Sequence, residues 1–473
     1  MTSPATTPDT STTGSVPGTS GLAAVRDLLE VRGDLARWPA ARRDATGHGT
    51  FRTAPPGPVL PTMWWTTTPR GVRDALTDRA FGKASPVYEE MARVLGDGLL
   101  TSDGDRWVAQ RRTLQPLFTP RRVDRYAADF AAAAVATADR WPAAGAVDVD
   151  EEMRRLSLTA VSTTLFGVDV TDRIVPILHD ITELSEKVVL RGQAPWAPPA
   201  WLPTRVNRRL AAIQQRVVAD VDAIVEERRR VLAAGEGDGD DLVALLLAAK
   251  DPETGAPLTQ DEVREQAVIF LLAGHETTST ALTFALWHLA RDTRWQDAVR
   301  EEALEVLGPD VLAGTAPAAA ADAWRLHVAG RVLDEAMRLH PPAFITSRVA
   351  GRPAVVDGFE VAPGDVVATS FWALHRDPAI WPDPERFDPD RFLPEAREER
   401  DPYAYLPFGG GPRSCIGERF ARLEGVLALA VLVGRHRLGP RTDEPRVSLG
   451  ITLTPAEPVL VDVAPTGVVG PAS

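Results

Sequence analysis

The sequence predicts a mainly α-helical protein with small β-sheets, folded as one large domain. Three observations carry this expectation. Long stretches space their apolar residues three and four apart, as amphipathic helices do. Strand-like runs are short and lie mainly near GRPAVVDGFEVAPGDVVATSF and TPAEPVLVDVAP. Between the chain ends there is no repeat and no Ser/Gly-rich or charge-rich linker.

The elements follow in chain order. The opening MTSPATTPDTSTTGSVPGTSG is rich in Thr, Ser, Pro and Gly, so residues 1–21 read as a disordered tail. It lacks a basic region followed by an apolar stretch and is not read as a secretory signal. RVDRYAADFAAAAVATADRW is the first long helical pattern. RGQAPWAPPAWLPTR carries too much proline for a helix interior and reads as a surface loop. TRVNRRLAAIQQRVVADVDAIVEERRRVLAA, LTQDEVREQAVIFLLAGHETTSTALTFALWHLARD and WRLHVAGRVLDEAMRLH are further helices. HRDPAIWPDPERFDPDRFLPE is a proline-punctuated meander. Residues 466–473 read as a second tail, which leaves 22–465 as the domain.

Composition narrows the function classes. Hydrophobic residues make up 44% and charged residues 25%, which are globular values. A chain of 473 residues can bury a large core and a cofactor within it. The formal net charge of −13 disfavours nucleic acid or an anionic membrane as partner. No apolar run reaches the ~20 residues of a membrane span. One cysteine rules out an internal disulfide framework and points to a reducing cytoplasm. Lysine occurs only at positions 83, 187 and 250, the other basic residues being arginine. With abundant Ala, Pro and Asp, this suggests high-GC codon usage and a bacterial source.

The central helix contains an anomaly. Thr259 and Glu262 fit a capping box, and Val268 to Ala273 are apolar on all sides. A polar island then runs from Gly274 to Thr280. Glycine costs a helix interior about 1 kcal/mol relative to alanine, and a buried unpaired carboxylate costs several kcal/mol. The island could face a solvent cleft or bond back to its own carbonyls. A zinc site of the H-E-x-x-H type fails, because position 279 is serine. The functional alternative to that first reading is a helix bent open around Gly274, with an acid and an alcohol delivering protons into a dry pocket.

Near the C-terminus, LPFGGGPRSCIGERF holds Cys415. An isolated cysteine is most often an inert small hydrophobe. A nucleophile would want a nearby histidine, and zinc would want a second cysteine. The surroundings favour something else. Gly409, Gly410 and Gly411 let backbone pass close to a flat, bulky group. Arg413 suits a carboxylate, and the start of a helix beyond Cys415 favours a thiolate. Haem iron would need such a set.

The stretch from Phe408 to Gly417 resembles, at every fixed position, the F-x-x-G-x-R-x-C-x-G haem-binding loop of the cytochrome P450 family. Three more stretches appear in that family's order. Ala273-Gly274-His275-Glu276-Thr277-Thr278 looks like its oxygen-activation stretch, Glu335-Ala336-Met337-Arg338 matches E-x-x-R, and Trp107 to Arg111 matches W-x-x-x-R. The resemblance covers about residues 22–465. It implies a single-domain cytochrome P450 fold, with haem b (iron-protoporphyrin IX) between the central helix and the helix after the cysteine.

By this resemblance Cys415 would be the axial ligand, with Phe408 packed near the sulfur and Gly417 part of the cofactor loop. Arg413, Trp107, Arg111 and Arg348 would face the haem propionates. Glu276 and Thr277 would be the catalytic acid–alcohol pair. Glu335 and Arg338 would form a buried structural pair, joined by Arg391 or by its rival Arg386. Ala273, Phe344, Ile345 and Ile451 should face substrate. Residues around Val87–Leu95 and the loop with Trp196 and Trp201 should close the entrance. The implied protein is a cytoplasmic, monomeric monooxygenase of bacterial secondary metabolism that oxidises a hydrophobic small molecule. Electrons would come from NAD(P)H through a ferredoxin or flavodoxin and its reductase. A peroxide-driven or oxygen-independent enzyme and a non-catalytic haem sensor are the alternatives, and an intact acid–alcohol pair argues against both.

Overall fold

The structure, a computed structural model, describes residues 16–57, 60–167, 198–199, 201–236 and 239–467. Its longer helices are α1 (Gly21–Val31), α2 (Arg37–Thr46), α3 (Pro69–Thr77), α4 (Pro86–Leu95), α5 (Gly104–Leu114) and α6 (Ala127–Arg140). They continue with α7 (Val149–Phe166), α8 (Arg205–Ala233), α9 (Gln260–Arg291), α10 (Thr293–Val306), α11 (His327–Leu339) and α12 (Glu418–Arg435).

A mixed sheet lies beside the helices. It takes the order β1-β2-β3-β9-β6-β4, from β1 (Gly18–Ser20), β2 (Thr50–Ala54), β3 (Met63–Thr66), β4 (Phe81–Gly82), β6 (Ile345–Ala350) and β9 (Val366–Ser370). β3 pairs parallel with β9, Met63 opposite Val366, and β9 pairs antiparallel with β6, Ser370 opposite Ile345. β10 (His436–Pro440), β13 (Leu460–Pro465) and β5 (Gly145–Asp148) form a second sheet. β7 (Ala354–Val356) with β8 (Phe359–Val361), and β11 (Val447–Leu449) with β12 (Leu453–Pro455), are hairpins.

The domain starts earlier than the sequence suggested. Gly18–Ser20 pair parallel with Arg52–Ala54, and α1 begins at Gly21, so residues assigned to the tail are structured. A side chain at Gly18 would collide with the Arg52 carbonyl, which explains a glycine within so tail-like a composition. At the other end Thr466 Oγ1 donates to the Gly434 and Arg435 carbonyls at 2.9 and 3.1 Å. Residues 1–15 and 468–473, and most of the proline-rich loop, lie outside the described residues.

α9 and α12 form the centre. The capping box at the start of α9 is present: the Glu262 N–H donates to Thr259 Oγ1 at 3.2 Å, and the Thr259 N–H donates to Glu262 Oε2 at 2.9 Å. α9 packs against α7, α11 and α12. Leu282, Phe284, Ala285 and Leu286 of α9 and Leu427 to Val433 of α12 share one dry core. α12 is buried on all sides from Leu423 to Gly434, which fits its unbroken apolar sequence. The exception is Glu424, whose carboxyl burial pushes up to about 8. It therefore packs as a neutral acid.

The helix assignment of α9 runs through Gly274 without a break, from Gln260 to Arg291. A Cβ at Gly274 would lie 3.0 Å from Val161 Cγ2 on α7. The glycine lets two helices approach closely.

Candidate active site around Cys415

The Cys415 loop is shaped by its own backbone. The Cys415 N–H donates to the Phe408 carbonyl at 2.8 Å, and the Ser414 N–H to the Gly411 carbonyl at 3.1 Å. Gly409 and Gly411 adopt φ of 70° and 69°, a region costly for residues with a Cβ. At Gly411 a Cβ would also come within 2.5 Å of the Leu76 carbonyl at the end of α3. The surrounding protein thus requires this glycine, whatever flat group the loop also admits.

Cys415 precedes Gly417, the N-cap of α12, by two residues. It is open on its surface, and what it opens onto is an internal cavity. Burial pushes its thiol up, while the Gly417 N–H and the Arg111 charge act in the opposite direction. The same two groups stabilise a thiolate once the sulfur has a metal partner.

The cavity has a volume of about 950 Å³. Cys415, Phe408 and Gly417 line it from the loop, and Ala273 and Thr277 from α9. Ile345 at the start of β6 and Ile451 between β11 and β12 complete the apolar wall. Phe344 is a correction. It is buried in the main core, and its carbonyl accepts from the Trp372 N–H at 3.1 Å. Ile345, the first residue of β6, reaches the cavity while also packing against the core, whereas Phe344 just before the strand is wholly in the core. Val87, Tyr88 and Met91 of α4 line the cavity, whereas Trp201 is 79% exposed and is not part of its wall. Trp196 lies outside the described residues.

The acid–alcohol pair divides between two directions. Thr277 reaches the cavity, its Oγ1 donating to the Ala273 carbonyl at 2.6 Å. That bond uses the proton of the hydroxyl and leaves its lone pairs free to accept. Glu276 is buried, and its Oε2 accepts from Thr452 Oγ1. No sequence signal indicated Thr452, which is 176 residues away.

Cations gather near the loop. Arg111 Nη1 donates to the Ser414 carbonyl at 2.9 Å. Arg413 lies 4.3 Å over the Trp107 ring, donates to the Ser102 carbonyl at 3.0 Å, and pairs with Asp103. Arg348 is 5% exposed and donates to Thr346 Oγ1 at 3.1 Å and the Ser347 carbonyl at 2.9 Å. It has no carboxylate partner among the described residues.

Lys83 completes the group, and its role was not legible in advance. Its Nζ donates to the Leu100 carbonyl at 2.8 Å and sits 4.4 Å over the Tyr88 ring. Burial, helped by Arg348 and Arg413, lowers its pKa to about 8. Burial would raise the Tyr88 phenol, but Lys83 and Arg348 draw it down to about 8. The one available signal was that lysine is so rare in this chain.

A haem fits this donor set. A buried guanidinium without a carboxylate, beside a lysine with a depressed pKa, leaves positive charge that two propionates would balance. Among the described residues no three His, Cys, Asp or Glu side chains cluster to hold a metal ion. A metal at Cys415 must therefore bring its other ligands with it.

Behind the loop, Arg338 donates to Glu335 through Nε at 2.7 Å and Nη2 at 2.8 Å. Its Nη1 reaches the His375 and Pro384 carbonyls at 2.9 and 2.7 Å, which ties α11 to the meander. Of the two arginines left open by the sequence, Arg391 is beside the pair, Nε 3.5 Å from Glu335 Oε1. Arg386 extends outward, 64% exposed, to Asp388.

Comparison with known proteins adds independent findings. The family model described as Cytochrome P450 matches residues 62–462. Cyclooctatin synthase of Streptomyces melanosporofaciens is 36% identical over 80% of this chain and 81% of its own. Cyclooctat-9-en-7-ol 5-monooxygenase of the same organism is 34% identical over 79% of each chain. Leukotriene-B4 omega-hydroxylase 3 of Mus musculus is 31% identical over 82% of this chain and 78% of its own. The crystal structure of the cytochrome P450DA heme domain superposes with a TM-score of 0.79 at 29% identity, covering 92% of this chain and 94% of that one.

Proposed function

Because the chain belongs to the cytochrome P450 family, an oxygen-incorporating haem oxidoreductase, we propose that it hydroxylates a largely hydrocarbon small molecule in bacterial secondary metabolism. The carrying observation is that Cys415, Thr277 and the apolar residues Ala273, Ile345 and Ile451 all face one cavity. The names of the Streptomyces relatives support a substrate of the cyclooctat-9-en-7-ol kind. The balance is R–H + O2 + 2 e⁻ + 2 H⁺ giving R–OH + H2O. We assign the electrons to NAD(P)H, delivered by a separate ferredoxin or flavodoxin and its reductase. A thiol that must stay reduced suits the cytoplasm. Among the described residues no helix is long and apolar enough to cross a membrane.

Haem, when bound, supplies the electron-transfer and dioxygen-cleaving chemistry. The chain's own groups do the rest. Cys415 would hold the iron, its charge balanced by the Gly417 N–H and Arg111. Arg348, Arg413 and Lys83 would hold the propionates, with Trp107 stacked beneath Arg413. Thr277 would accept a hydrogen bond from the oxygen being protonated, and Glu276 would resupply the proton. Ala273, Ile345 and Ile451 would orient substrate and exclude water.

Turnover of cyclooctat-9-en-7-ol and related alcohols under labelled dioxygen, with surrogate ferredoxin and reductase, tests this reading. Label in an NAD(P)H-dependent product supports it. A spin-state shift on binding, without product under efficient electron delivery, would favour a haem sensor instead.

A further inference from the structure

Lys83, Arg348 and Arg413 come from distant parts of the chain. Lys83 follows β4, Arg348 lies within β6, and Arg413 belongs to the Cys415 loop. The sheet joins the first two, because β4 pairs antiparallel with β6, Gly82 opposite Val349. A side chain joins the third. Asp103 Oδ1 accepts from Arg413 Nη2, and Asp103 Oδ2 accepts from the Lys83 N–H at 2.6 Å.

This carboxylate is not used where local structure would put it. Asp103 is the N-cap of α5, a position whose side chain usually accepts from an N–H in the first turn of its own helix. It makes no such cap bond and reaches to two other segments instead. Room for the bridge is left at Gly82, where a Cβ would fall 2.6 Å from Asp103 Oδ2. Arg413 keeps donors for a further anion, since its guanidinium fork offers more N–H groups than the Ser102 carbonyl and Asp103 take up.

Charge points the same way. Lys83, Arg111, Arg348 and Arg413 all line the cavity. Among the described residues, Asp103 is the one carboxylate paired with any of these four cations. A thiolate and two propionates would supply three of the matching negative charges, and Asp103 supplies the fourth.

We propose that Asp103 is a positioning residue for haem binding: it fixes Arg413 against the Lys83 segment, so that cations from three distant segments meet the propionates as one preformed set. This rests on the haem reading of the cavity. A set held in place by the protein need not be ordered when the cofactor arrives, and binding is tighter by that saving. The charge of Asp103 also limits the excess of positive charge beside the iron.

The holoenzyme tests it, read by haem transfer to apomyoglobin and by the ferric–ferrous midpoint potential. Asp103→Asn keeps the shape and removes the charge. It should speed haem transfer several-fold and raise the midpoint potential, since one more net positive charge favours the reduced iron. Asp103→Glu keeps the charge and alters the reach, so it should hold the original potential while still losing haem faster. In an Arg413→Met background, Asp103→Asn should accelerate transfer less than it does alone, because the two side chains act through one contact. A merely structural role would lower the urea midpoint and leave the potential where it was. An original transfer rate, an unchanged potential in Asp103→Asn, or equal acceleration in both backgrounds overturns the proposal. If Arg413→Met and Lys83→Met also transfer haem at the original rate, the propionate reading of the cluster fails. If they accelerate it while Asp103→Asn does not, the role of Asp103 alone fails.

Discussion

Arg338 closes a two-point contact with Glu335 at 2.7 and 2.8 Å, with both side chains fully shielded from solvent. Removing either partner strands a buried charge, at a cost of about 3–5 kcal/mol. Urea unfolding of Arg338→Ala or Glu335→Ala should show that loss together with reduced haem incorporation. Arg391→Ala should lower stability too, whereas Arg386→Ala, whose side chain lies in solvent, should unfold at the original urea concentration.

Gly411→Ala should damage the Cys415 loop more than Gly409→Ala. Both pay the left-handed backbone penalty of about 1–2 kcal/mol. Only at position 411 does the new methyl also meet a carbonyl of the protein, that of Leu76, while no protein atom lies within 4 Å of one at position 409. Haem content after purification and the thermal midpoint read the difference. Equal loss in the two variants would contradict this assignment.

Lys83 gives haem binding a pH dependence. Its pKa of about 8 describes the cavity without a counter-anion. A bound propionate would raise it, so affinity is full below about 8 and falls as pH rises through that value toward the raised one. Haem transfer to apomyoglobin should accelerate above that pH. In Lys83→Met, loss should be faster at neutral pH and lack this rise.

Buried imidazoles make the fold acid-sensitive. Burial, with Arg338 nearby, lowers His288 to about 3, and His340 and His375 are lowered well below their ordinary value for similar reasons. The unfolded chain takes up these protons near pH 6.5 while the folded one does not. Stability is therefore full above about 6.5 and declines toward the folded pKa, by up to about 1.4 kcal/mol per pH unit for each histidine. Urea midpoints between pH 7 and 5 check this. Replacing His288, stacked 4.2 Å from Phe387, with phenylalanine should flatten the slope.

The motifs were legible because each is local. Cys415, Arg413 and Gly417 sit within one loop, Trp107 and Arg111 on one helix turn, and Glu335 and Arg338 on another. The long helices were also readable, since their spacing reports the buried face. The misses came from contacts between distant segments. Gly18 reads as tail until β2 is placed beside it. Phe344 and Ile345 are both apolar, and only the path of the chain entering β6 sends one to the core and one to the cavity. The close approach at Gly274 shows only when Val161 is seen against it. Lys83 and Thr452 belong to no periodic pattern, and their neighbours in the site, Arg348 and Glu276, are far away in sequence.

The most direct test of the central claim is the ferrous–CO spectrum of the purified haem protein. Thiolate ligation by Cys415 predicts the red-shifted Soret band that gives the family its name, present in the unaltered protein and lost in Cys415→Ala. A band typical of imidazole ligation, or an unchanged red-shifted band in Cys415→Ala, would contradict the assignment of the chain's single cysteine to iron.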